Sequence, residues 1–88
     1  MKLSPLARAA ALDLSARLDI TFQQALGGLL LLSEITTQVS ETTLRFHLSV
    51  AFGVEADDVL VMVITRLEVA GILRCDEDHA DWWEVDLP

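Results

Sequence analysis

The sequence has one cysteine, Cys75, and one lysine, Lys2. A lone cysteine excludes an internal disulfide and a cysteine-based zinc site, and it suits a reducing, cytoplasmic compartment. Only His47 and His79 could add imidazole ligands, so neither a structural metal nor a cofactor is expected. Basic residues are scarce: six Lys and Arg face fourteen Asp and Glu, a formal net charge of −8. Nucleic-acid binders usually carry a basic face, so nucleic acid is not the expected partner. Long apolar runs are missing too. The longest, Ala25 to Leu32, falls far short of the ~20 residues that cross a bilayer. Asp13 and Arg17 interrupt the alanine-rich start, so no export signal is read. Repeats, low-complexity tracts and linkers are absent.

What is present is apolar. Hydrophobic residues make up 52% of 88 residues, and the mean hydropathy is +0.43. That excludes disorder and predicts one domain, residues 1–88. A chain this short buries only ~60–65% of its unfolded surface, so apolar area is left for a partner. Charge is uneven. Residues 1–44 carry three bases and four acids, whereas residues 45–88 carry three bases and ten acids.

Four helices are predicted. Ser4 caps the first, with Pro5 at its first position and Leu6, Ala9, Ala10, Leu14 and Leu18 at helical spacing. The second runs from Thr21 to Glu34 or Ile35 and is apolar nearly all round, which predicts burial on several sides. Gly27 and Gly28 inside it point either to close approach of another helix or to a kink. Ile35 to Val39 is β-branched and reads as a strand or extended connector. Ser40 caps the third helix, Glu41 to Phe52, whose apolar side is Leu44, Leu48, Phe52 and either Val50 or Ala51. Gly53 follows as its C-terminal stop. The fourth opens at Ala56 or Asp57 and reaches Ala70, with Gly71 as stop. Its run Val59 to Ile64 could also form a buried strand, but the preceding acids suit a helix N-terminus. Ile72 to Cys75 and Trp83 to Leu87 are strand candidates joined by the acidic loop 76–81.

Gly53-Val54, followed by Ile64-Thr65-Arg66-Leu67-Glu68-Val69-Ala70-Gly71-Ile72-Leu73-Arg74, resembles the turn and recognition helix of winged helix-turn-helix domains. The resemblance covers residues 35–87. It implies a mainly α fold with a small β-hairpin, to which residues 4–34 add two N-terminal packing helices. In that arrangement Leu60, Ile64 and Leu67 face inward, while Asp57, Asp58, Val61, Met62, Thr65 and Val69 take the places that meet DNA in such domains. Here those places are acidic or apolar. The wing, from Asp76, Glu77 and Asp78 through His79 to Asp81, is acidic as well.

The expected function is therefore that of a small acidic protein-binding module, a regulator or inhibitor of a partner with a basic surface. Bacterial regulators, antitoxin-like subunits, phage-type inhibitors and DNA mimics share this character. The partner surface is expected to comprise Asp57, Asp58, Val61, Met62, Thr65, Val69, Asp76, Glu77, Asp78, Trp82 and Trp83. Adjacent strand residues face opposite ways, so one tryptophan should sit on the core and the other at the surface, where tryptophan is enriched in binding hot spots. A homodimer is expected through Phe22, Leu26, Leu29 and Leu30. The alternative is a DNA-binding winged-helix regulator whose dimer draws basic surface from Lys2, Arg8, Arg17 and Arg45. Cys75 is expected to be a buried strand residue, His47 a boundary residue, and His79 a loop residue beside Asp78 and Asp81. No nucleophile triad, phosphate-cradling loop or paired carboxylates are legible, so catalysis is not expected.

Overall fold

The computed structural model describes residues 4–34, 38–79 and 81–86. Helix α1 (Pro5–Leu18) starts where the Ser4 hydroxyl accepts the Ala7 N–H at 3.2 Å. It ends at Asp19, whose φ of 55° is left-handed, a conformation that a short polar side chain tolerates. Helix α2 (Phe22–Ser33) opens with a reciprocal cap. Thr21 Oγ1 accepts from the Gln24 N–H, and Gln24 Oε1 accepts from the Thr21 N–H. Strand β1 (Gln38–Ser40) runs directly into α3 (Glu41–Phe52), which Ser40 caps through the Thr43 N–H and Gly53 stops at φ 67°. The ambiguous run 59–64 lies in α4 (Asp57–Val69). Asp57 and Asp58 fill its first turn, where the helix dipole favours them. Gly71, at φ 80°, turns the chain into β2 (Leu73–Cys75) and then β3 (Trp82–Val85). Of the expected extended segment 35–39, residues 35–37 lie outside the described residues; so does Leu87 of the last strand.

The described chain is mainly helical, with a three-stranded antiparallel sheet in the order β1-β3-β2. Gln38, Glu84 and Arg74 form one row across it, and Val39, Trp83 and Cys75 the next. One hydrophobic cluster takes side chains from all seven elements, from Ala10 of α1 to Val85 of β3. Leu29 of α2, Leu44 and Leu48 of α3, and Leu67 of α4 are among its fully buried members.

One expected apolar stripe shifts, that of α1, while that of α3 stands with Ala51 rather than Val50 on the core side. In α1 the buried positions are Ala7, Ala10, Ala11 and Leu14, while Leu6 and Ala9 are exposed. Small alanines let α1 lie close against α2, its main packing neighbour, and that contact decides the rotation. In α3 the buried stripe is Leu44, Leu48 and Phe52. Ala51 is half-buried and Val50 exposed.

Close approach accounts for Gly28. A Cβ there would lie 2.5 Å from Phe52 Cε1 and 3.0 Å from the Ala51 carbonyl oxygen, so the end of α3 is seated on bare backbone. Gly27 has no such neighbour within 4 Å. Gly28→Ala should therefore destabilise the fold by ~1–3 kcal/mol through overpacking. Gly27→Ala should stabilise it by up to ~1 kcal/mol through helix propensity. Urea denaturation of both variants checks the contrast.

Asp13 ties α1 to α4. Its carboxylate accepts from Arg66 Nε at 2.8 Å and from Arg17 Nε at 2.9 Å. The Arg66 hydrogen bond chiefly holds the Asp13 pKa below its ordinary value, with Arg17 assisting against the opposing effect of burial. A carboxylate lowered in the native state stabilises the fold above its unfolded-state pKa, and that contribution fades as pH falls through the native value. The groups are partly exposed, so Asp13→Asn should cost only about 1 kcal/mol at pH 7. Denaturation of wild type and variant at successive pH values should show the gap closing only as pH falls below the ordinary aspartate value of 3.8.

Candidate functional site

The β2–β3 connection is built by its own hydrogen bonds. Asp76 Oδ1 accepts the Asp78 N–H at 2.9 Å, the Asp76 N–H donates to the Trp82 carbonyl, and the Trp82 N–H donates to the His79 carbonyl. The loop is pinned to α3 where the Glu41 N–H donates to the Asp81 carbonyl at 2.8 Å. This fold-back sets Gln38, Asp76, His79 and Trp82 around one hollow of about 220 Å³. A second hollow, lined by Arg74, Glu77, Asp78 and Glu84, shares Asp76 with it. Trp82 is 42% exposed, whereas Trp83 is buried in the core. The strand alternation separates the two rings as expected, and it withdraws Trp83 from any direct partner contact. Asp76, Glu77, Asp78 and Trp82, all expected at the partner surface, do gather in one region. His79 Nδ1 lies 3.8 Å from Asp76 Oδ2; Asp76 is the one carboxylate within ion-pair distance among the described residues.

The α4 residues do not join that region in either hollow. Asp57 lies 3.7 Å from Arg45 Nη1, and Asp58 Oδ1 accepts its neighbour Val59 N–H. Val61, Thr65 and Val69 are exposed. Met62 is half-buried and packs on the core, because it flanks Val63 on the inward side of the helix. It stands to the side of the helix, between the exposed Val61 and the buried Val63.

Two further expectations change. Cys75 is exposed: its register beside Trp83 points to the inner face, but it stands at the end of the edge strand β2. Leu29 is fully buried within the chain, so it cannot meet a second subunit; Leu26 and Leu30 are half-buried, and Phe22 is at the margin of exposure. His47 is half-buried, at the boundary position expected.

Among the described residues, four of the five arginines sit against carboxylates: Arg17 and Arg66 on Asp13, Arg45 on Asp57, and Arg74 on Glu84 and Asp86. No group of three or more His, Cys, Asp or Glu side chains there could hold a metal ion.

Sequence reasoning missed one feature. Phe46 and Val50 of α3 are each 65% exposed, and Leu31 of α2 is 52% exposed. They line a common hollow with His47 and Ala51. The signal was present: Phe46 and Val50 fall two residues off the Leu44–Leu48–Phe52 stripe, on the far side of the helix.

No family model matches the chain, and no curated protein or solved structure matches it.

Val61→Glu should fold with a stability change under ~0.5 kcal/mol, as at an exposed site. Met62→Glu should lose at least ~1 kcal/mol, since it pushes a carboxylate against the core. Thermal melts of the two neighbours read this difference directly.

Proposed function

We propose that this protein is an acidic protein-binding module of winged-helix type, working in the cytoplasm, that captures a basic segment of a partner protein at the Trp82–Asp76 hollow. The observation that carries the reading is the joining of an exposed indole with a carboxylate in one concavity, beside Glu77 and Asp78. An indole face attracts an ammonium or guanidinium group, and a neighbouring carboxylate supplies the counter-charge and steers the encounter. A lysine or arginine side chain is the natural occupant. The element order α2-β1-α3-α4-β2-β3, with the sheet order β1-β3-β2, supports the winged-helix part of the reading. In that frame the acidic connection stands where a wing would.

The placement of the arginines supports protein over nucleic acid as the target. Guanidinium groups held by carboxylates present little positive potential to phosphates, and the first turn of α4 presents Asp57 and Asp58.

Affinity capture with the wild type, followed by mass spectrometry, tests the reading against the double variant Trp82→Ala/Asp76→Asn. A partner should be retained by the wild type and bound about thirtyfold more weakly by the variant, a hot-spot effect. Its binding should weaken as salt rises. A sequence-specific complex with duplex DNA tighter than about micromolar would reverse the assignment, as would a partner that the double variant binds equally well.

A further inference from the structure

The largest concavity among those described lies away from the acidic loop, between α2 and the end of α3. It encloses about 510 Å³, and its lining includes Gln24, Gly27, Gly28, Leu31 and Phe52. Gly27 leaves its floor open, because nothing lies within 4 Å of where a Cβ would stand. Leu31 and Ala51 also line the smaller hollow beside Phe46 and Val50. A protruding aromatic ring and a glycine-floored groove therefore adjoin on one face.

The same face is electrically neutral. Among the described residues, neither hollow is lined by Asp, Glu, Lys or Arg, and α2 carries no charged residue from Phe22 to Ser33. Elsewhere the chain carries a net charge of −8. A basic partner has nothing to pair with here, while a second copy of the chain meets no like charge across the contact. A two-fold axis requires a surface complementary to itself, residue i meeting j and j meeting i. A knob and a hole side by side meet that requirement.

We propose that the α2–α3 face is a homodimer interface in which Phe46 of each copy enters the Gly27–Gly28 groove of the other. The dimer uses α2, but through Leu31 and the glycines rather than Leu29. It also leaves the Trp82–Asp76 hollow outside the contact, so it stands independently of what that hollow binds. Because the two copies repel through their acidic remainder, screening should tighten the dimer as salt rises, opposite to the salt dependence of a basic partner.

Sedimentation equilibrium on the whole protein at 50 and 500 mM salt tests this, with Phe46→Glu and Gly27→Leu as variants. The wild type should be dimeric at tens of micromolar and associate more tightly at the higher salt. Each variant should raise the dissociation constant at least about thirtyfold, the effect of losing a central anchor. Circular dichroism should show both folded, since Phe46 is exposed and Gly27 faces open space. Should Phe46→Glu fail to fold, Gly27→Leu decides alone. A wild type that stays monomeric at hundreds of micromolar, or a folded variant that dimerises as tightly as wild type, would overturn the proposal.

Discussion

The seating of Phe52 on Gly28 is the contact on which the arrangement of the other elements depends. Helix backbones approach closely only where a side chain is missing, and here the ring takes the place of a Cβ. With the C-terminal end of α3 fixed against α2, Leu44 and Leu48 are committed to the core. Gly53 then reverses the chain in a left-handed conformation, so α4 begins beside α3 and delivers Leu60, Ile64 and Leu67 to the same cluster. The sheet closes the cluster from the other side through Val39, Leu73, Trp83 and Val85.

The same packing produces the two exposed surfaces. Burying one side of α3 turns Phe46 and Val50 to solvent, and Gly27, next to the Gly28 that admits Phe52, opens the adjoining groove. The strand alternation that buries Trp83 exposes Trp82 next to Asp76. One surface is neutral and apolar; the other is acidic with a single indole.

Charge pairing organises the remainder. Asp13 accepts hydrogen bonds from arginines on two helices, and Arg74 lies between Glu84 and Asp86. These partly exposed pairs add modest stability, but they consume the scarce positive charge. Further carboxylates remain on the β2–β3 connection and in the first turn of α4.

The sequence by itself determined the elements and where they stop. Ser4, Thr21 and Ser40 cap, Gly53 and Gly71 terminate, and the alternation at Trp82-Trp83 assigns their faces, because caps, positive φ and strand period are local properties. Asp76, Glu77, Asp78 and Trp82 were legible for the same reason: they are close in sequence and share one loop and strand. Only the tertiary structure decided how far each helix turns about its axis. That rotation exposed Leu6, half-buried Met62, sent Leu29 inward and brought Phe46 beside the Gly27–Gly28 groove, while the end of an edge strand left Cys75 exposed. It is set by packing against other elements, as where Gly28 admits the Phe52 ring, and local sequence does not encode which faces those elements will meet.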